Sequence, residues 1–287
     1  MAEPTPLLGD SLCRGSGLCA GRGDVQQGGI IGGNDDPGIV GESLNSSHAT
    51  ANRELYEQLW EKSRIRPPAA RSVWPVVRDL LPASGRVLEI GAGTRPRVPI
   101  AGSFFVDLSR EAGRALAPLG AKAVVADAGC LPFCSSSFEL IVAAEVLEHI
   151  NDDQGALEEW NRVLKPGGRL FLSVPLYRHM WTVLDPMVGH VRRYEPADLQ
   201  VQLERSGFQV DRYATDRIAL YRGTNRLAAL GMALLSPRFV IWVEERVLAP
   251  VAEKLAQRRA CRFDWREKLA QEKDMKATSA LVICTCL

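Results

Sequence analysis

The sequence predicts an α/β fold, a mostly parallel sheet covered on both faces by helices. Three observations carry that expectation. Strand-length apolar runs alternate with helical periodicities from about residue 86 to residue 206, the pattern of repeated strand–helix crossovers. The runs are apolar at consecutive positions, as strands buried on both faces must be. The sharpest corner, Val87-Leu88-Glu89-Ile90-Gly91-Ala92-Gly93-Thr94, ends an apolar run in an acid and turns on two alternate glycines. Glycine lets backbone approach a ligand where a side chain would clash, and the carboxyl end of a strand is where open α/β sheets bind ligands.

The elements follow in order. Residues 1–50 are rich in Gly, Ser and Asp and poor in aromatics, so they cannot bury enough apolar surface to offset their ordering entropy and read as a disordered tail. In 51–82, Leu55, Leu59 and Trp60, then Val73, Trp74, Val77 and Leu80, recur at helical spacing around a Pro67-Pro68 break. They predict two N-terminal helices that cover the site or the sheet edge. The core, 83–217, holds predicted strands at Arg86–Ile90, Ser103–Asp107, Ala123–Ala126, Glu139–Ala143, Arg169–Val174 and Gln209–Tyr213. Its predicted helices are Arg110–Leu116, Gln154–Val163 and Pro196–Ser206, and Gly167-Gly168 reads as a turn. Pro96 and Pro99 lie in the short stretch between Glu89 and Asp107, so the first crossover helix should be short or irregular. Segment 218–275 reads as a helical insertion, and 276–287 supplies a last strand at Ser279–Cys286.

Composition bounds the function. With 287 residues and 46% apolar side chains, the chain can bury a substantial core. A net charge of +1 gives no electrostatic reason to expect nucleic acid as a partner. The seven cysteines show neither a disulfide framework nor metal-ligand spacing. Cys130 and Cys134, like Cys284 and Cys286, read as buried thiols, and no metal is expected. There is no N-terminal apolar leader pattern, and the run Leu227–Leu235 is too short to span a bilayer. A cytoplasmic location is the expectation, with peripheral membrane contact as an alternative. The terminal Cys284-Thr285-Cys286-Leu287 fits a prenylation pattern by letter, but it closes a strand and reads as coincidence.

The corner at Gly91 also discriminates between cofactors. A dinucleotide site requires Gly-x-Gly-x-x-Gly, and here Pro96 stands at the third position, with Arg95 and Arg97 beside it. A nucleotide-dependent dehydrogenase is thereby disfavoured. The acid that closes the strand, Glu89, suits a cofactor with a cationic amino-acid end, which points to S-adenosylmethionine.

Six motifs in order then resemble the class I S-adenosylmethionine-dependent methyltransferases, in particular the group that includes quinone-biosynthesis methyltransferases. They are Glu89-Ile90-Gly91-Ala92-Gly93; Val106-Asp107-Leu108-Ser109; Asp127 with Leu131-Pro132-Phe133; Phe138-Glu139-Leu140-Ile141-Val142; Glu145-Val146-Leu147-Glu148-His149; and Val163-Leu164-Lys165-Pro166-Gly167-Gly168. The resemblance covers about 84–213. It implies a Rossmann-like seven-stranded sheet of order 3-2-1-4-5-7-6 with the last strand antiparallel. It also implies a cofactor site of Glu89, Gly91, Ala92, Gly93, Asp107, Leu108, Asp127, Ala128 and Glu145. In that reading Asp107 accepts from the ribose diol, Asp127 from the adenine amine, and Glu145 lies near the sulfonium. The alternative for each acid is a helix cap or a surface ion pair. The family's third glycine is Arg95 here, so Arg95 or Arg97 either borders the cofactor carboxylate or faces solvent.

Methyl transfer needs a base only when the acceptor loses a proton, and His149 and His190 are the candidates. His149 has a structural alternative. Arg193 and Tyr194, in His190-Val191-Arg192-Arg193-Tyr194, are candidates for binding substrate, or else for bracing their loop. The expected substrate is a small apolar or aromatic metabolite. In the insertion, Val240, Val243, Val247, Val251 and Leu255 recur at helical spacing. The stretch 218–262 could serve as a lid, a homodimer face, a membrane-surface helix or plain packing. A catalytically silent S-adenosylmethionine-binding protein is the competing class.

Overall fold

The computed structural model describes residues 54–216 and 263–287, except 55, 58, 59, 62 and 183. The expectations for residues 1–50 and for most of the insertion lie outside the described residues.

Seven strands form one sheet: β1 Val87–Ile90, β2 Phe104–Asp107, β3 Lys122–Val125, β4 Phe138–Ala144, β5 Leu164–Pro175, β6 Phe208–Asp216 and β7 Ser279–Cys286. Their order is β3-β2-β1-β4-β5-β7-β6. The first five pair in parallel, and β7 runs antiparallel between β5 and β6. This is the arrangement that the resemblance implied. Every residue of β1 is buried, which explains its continuous apolar run.

The helices are α1 Trp74–Leu80, α2 Arg110–Leu116, α3 Asp153–Val163, the short α4 Leu184–Met187, and α5 Pro196–Arg205. Leu157, Trp160 and Val163 of α3 and Leu199 and Leu203 of α5 bury against one side of the sheet. Val76 and Val77 of α1 and Leu116 of α2 bury against the other. The caps fall where the sequence offers short oxygen side chains. Ser109 accepts from Ala112 N at 3.2 Å and Asp152 from Gly155 N at 3.0 Å, each satisfying an otherwise unpaired helix N–H.

Several expectations need correction. β5 begins at Leu164, which pairs with Phe138 before the register shifts, so Gly167, at φ 76°, makes a bulge inside a strand instead of a turn between elements. The described end of the expected helical insertion is irregular apart from a 3-10 turn at Leu269–Gln271, and Arg266 is tied by a bridge to Tyr213. Cys130 and Cys134 are disulfide-bonded, whereas Cys284 and Cys286 are buried free thiols. Composition could not foresee this, because cysteine spacing alone does not fix pairing. No regular helix forms between β1 and β2, as the two prolines required. Among the described residues no helix is long and apolar enough to cross a membrane.

Candidate active site

The site is built at the carboxyl ends of β1, β2, β3 and β4. Gly91 and Gly93 take φ values of 66° and 53°, the left-handed region that glycine enters without steric cost. Gly91 N donates to Val106 O at 2.8 Å, and Gly93 N donates to Asp107 Oδ2 at 2.9 Å. The bend is thus stitched to the tip of β2. A Cβ at Gly91 would stand 2.6 Å from Val146 Cγ2, and one at Gly93 2.3 Å from the Trp60 ring.

Glu89 is fully buried. It accepts from Arg97 N at 2.8 Å and Val98 N at 3.1 Å, and its other oxygen pairs with the Arg97 guanidinium at 3.4 Å. Burial raises its pKa, and these three partners oppose the rise. The structure therefore turns Glu89 toward the returning loop, where it substitutes for the missing crossover helix as an anchor. Arg97 is committed to that pair. The Arg95 guanidinium lies 5.8 Å from the centre of the Trp60 ring.

Asp107 also accepts from Ser109 N at 2.9 Å. Burial pushes its carboxyl up to about 6, with the charge of Glu57 adding to the rise and the backbone bonds opposing it. Asp127 is exposed and accepts from Gly129 N at 2.7 Å. Ala128 O accepts from the Trp160 indole at 2.9 Å, which fixes the loop after β3 to α3. Leu108 is half-buried behind Asp107, and Ala92 is buried in the bend. Glu145 is an exposed residue at φ 58° that accepts from Ser173 Oγ at 2.8 Å.

These residues fit S-adenosylmethionine. A carboxylate has about four acceptor positions, and two of those on Asp107 serve backbone N–H groups, leaving capacity for a ribose diol. The glycine bend beside it leaves no room for a side chain.

Tyr56, Glu57 and Trp60 lie over this corner, whereas the second predicted helix, α1, packs against the sheet. Tyr56 stacks on Trp60 with ring centres 5.7 Å apart and donates to Val188 O at 3.1 Å. Burial raises the Tyr56 phenol, and the carboxylates of Glu148, Asp107 and Glu145 add to the rise, which places its hydroxyl among the site's acids. Glu57 accepts from Ser109 Oγ, Arg110 N and Glu111 N at 3.1, 2.8 and 3.2 Å. A carboxylate there complements the positive end of α2.

On the β4 side, His149 and His190 come together with ring centres 4.8 Å apart. His149 Nδ1 lies 3.1 Å from Gly189 O, and His190 Nδ1 lies 2.9 Å from Asp185 Oδ1. Arg193 is buried, donating to Asp185 Oδ1 at 2.8 Å and Leu176 O at 3.3 Å, and Tyr194 donates to Asp153 Oδ2 at 2.9 Å. Both therefore brace the loop, while also lining an open cleft of about 690 Å³ with Trp181 and Arg178. Tyr56, Glu57, Glu148 and Asp185 are site residues that the sequence did not single out. The adjacent Glu148-His149 pair was the one available signal.

The methyltransferase-domain family matches this chain over residues 62–213. The chain belongs to the class I S-adenosylmethionine-dependent methyltransferases. It is 34% identical over 99 residues to the ubiquinone/menaquinone biosynthesis C-methyltransferase UbiE of Desulfotalea psychrophila, covering 31% of this chain and 40% of that one. It is 30% identical over 191 residues to the biotin biosynthesis bifunctional protein BioHC of Cellvibrio japonicus, covering 58% and 38%. The chain thus spans about two fifths of the length of these relatives. Among solved structures, a methyltransferase from Thermotoga maritima, described as a possible histamine N-methyltransferase, shares the fold at TM-score 0.51 and 18% identity, covering 83% of this chain and 96% of that one. The [4+2]-cyclase SpnF shares it at TM-score 0.51 and 18% identity, covering 75% and 79%.

Proposed function

We propose that the protein transfers a methyl group from S-adenosylmethionine to a small, apolar or aromatic acceptor. One observation carries the reading: Asp107 at the tip of β2 shares its carboxylate with the N–H of the Gly93 bend, in a chain of this family. The bound cofactor would supply a methyl group on an already activated sulfonium. What the chain must supply is position and dryness. Asp107 and Asp127 would hold the adenosine, the Gly91–Gly93 bend would admit the amino-acid tail, and Tyr56 and Trp60 would exclude water.

The acceptor class is supported by the apolar and aromatic groups around the site. Tyr56 and Trp60 roof it, and Trp181 and Val188 present exposed apolar side chains on the segment leading to His190. The likeness to a quinone-biosynthesis enzyme points the same way. If the acceptor is a hydroxyl, His149 and His190 are the imidazoles at hand to manage its proton.

The second reading, a protein that binds S-adenosylmethionine without transferring its methyl group, stays in view because the same fold occurs in a protein described as a cyclase, and fold alone does not fix chemistry. Incubation with S-adenosylmethionine carrying a tritiated methyl group, against quinone, phenolic, lipid and sugar extracts, separates the two. Label entering an apolar or phenolic fraction supports methyl transfer. Binding of S-adenosylhomocysteine without label in any fraction supports the silent reading.

A further inference from the structure

Beside the cofactor corner lies a cluster with a different character. Glu148 is fully buried, and among the described residues no hydrogen-bond partner reaches either of its carboxylate oxygens. Buried carboxylates are normally paired, hydrogen-bonded or bound to a metal. Glu148 Oε1 lies 3.7 Å from His190 Nε2 and 3.9 Å from His149 Nε2, beyond hydrogen-bonding distance. One donor atom from each of the three residues lies within 4.8 Å of the other two.

The outer partners orient both imidazoles. Gly189 O can only accept, so His149 Nδ1 carries the proton of that contact. Asp185 sets the same tautomer on His190. In that tautomer the ring nitrogen directed toward Glu148 is Nε2, the atom that a metal ion would take. Asp185 is itself held by Thr182 N at 2.7 Å, Thr182 Oγ1 at 3.0 Å and Arg193 Nε at 2.8 Å. A carboxylate or a carbonyl behind each imidazole is the support that ligating histidines receive. The backbone closes the cluster as well, with Val191 N donating to Glu148 O at 2.9 Å.

We propose that Glu148, His149 and His190 bind one divalent transition-metal ion. Metal–nitrogen and metal–oxygen distances of about 2.0–2.2 Å put tetrahedral ligand atoms roughly 3.4 Å apart, so the Glu148–His190 and Glu148–His149 separations of 3.7 and 3.9 Å must shorten, and the two imidazole nitrogens, within 4.8 Å of one another, must also close in. Two imidazoles and one carboxylate suit ions such as Zn²⁺, Fe²⁺ or Co²⁺ better than Mg²⁺ or Ca²⁺. Three protein ligands leave at least one coordination position open for an outside ligand. An ion there would act as a Lewis acid on an oxygen ligand. Local spacing offers no sign of such a cluster, because its residues come from distant segments, the 3-10 turn Leu147–His149 and the loop before α5.

The proposal does not rest on methyl transfer, since its readout is metal binding by the full chain. The chelator-treated protein is titrated with CoCl₂ while its visible d–d absorption is followed, and Zn²⁺ is then added in competition. One equivalent of Co²⁺ should bind and be displaced by Zn²⁺. Glu148→Gln and His190→Ala should each weaken binding at least tenfold, and Asp185→Asn by about tenfold through the outer support. His179→Ala, at an exposed position outside the cluster, should bind as wild type does. Circular dichroism confirms that each variant is folded. Absence of a d–d spectrum in the wild type, or unchanged affinity in folded Glu148→Gln and His190→Ala, overturns the proposal.

Discussion

Two buried carboxylates, Glu89 in β1 and Glu148 in the 3-10 turn after the neighbouring β4, meet opposite environments. Glu89 is surrounded by partners: two backbone N–H groups and a guanidinium. Glu148 is as deeply buried, yet among the described residues its oxygens have no hydrogen-bond partner and its nearest cationic candidates are imidazoles just out of reach. Burial raises the pKa of both, and for Glu148 the charge of Glu145 raises it further. The contrast separates architecture from chemistry. A satisfied buried acid holds a loop in place, whereas an unsatisfied one beside two oriented imidazoles is the arrangement from which the metal site is proposed.

The largest expected effect tests the satisfied acid. Glu89→Ala strands two buried N–H groups and the half-buried Arg97, and should destabilise the fold by about 3 kcal/mol, read by urea unfolding. A loss under about 1 kcal/mol would mean that the loop 91–98 holds itself. The next concerns Asp107, whose carboxyl is pushed up to about 6. A raised carboxyl pKa means that the ionised form is disfavoured in the folded protein above pH 6, a cost that fades as pH falls through 6 toward the ordinary value of about 4. A ligand that binds the ionised form should therefore lose affinity below pH 6, by up to about tenfold per pH unit. Calorimetry with S-adenosylhomocysteine at pH 7.5, 6 and 5 should show this for wild type and a flat profile for Asp107→Asn. Matching profiles would assign the titration elsewhere. The smallest effect has the opposite sign. In chelator-treated protein, Glu148→Gln removes a buried carboxylate whose ionisation is disfavoured and should stabilise the fold at pH 8 by about 1 kcal/mol. Destabilisation comparable to that of Glu89→Ala would erase the contrast.

What the sequence made legible was the backbone-level design. β7 falls at Ser279–Cys286 and α2 at Arg110–Leu116, the bounds that the sequence predicted. The irregular first crossover followed from Pro96 and Pro99. What stayed hidden depended on side-chain direction. Nothing local reveals that Glu89 turns back onto Arg97 and Val98, or that Arg193 and Tyr194 face Asp185 and Asp153. The sequence left open whether the N-terminal helices cover the site or the sheet edge, and nothing in it marked Glu57 as the residue that caps α2 from a distant segment. The Glu148–His149–His190 cluster joins residues that α3 and β5 separate in the chain, so no spacing rule could have found it.

Calorimetry of S-adenosylhomocysteine against wild type and Asp107→Ala at pH 7.5 addresses the central claim most directly. The account predicts one site in the wild type and a loss of about 2 kcal/mol, roughly thirtyfold, in the variant, from the removed charge-assisted acceptor. Equal affinity in the two proteins, or no binding to either, would contradict it.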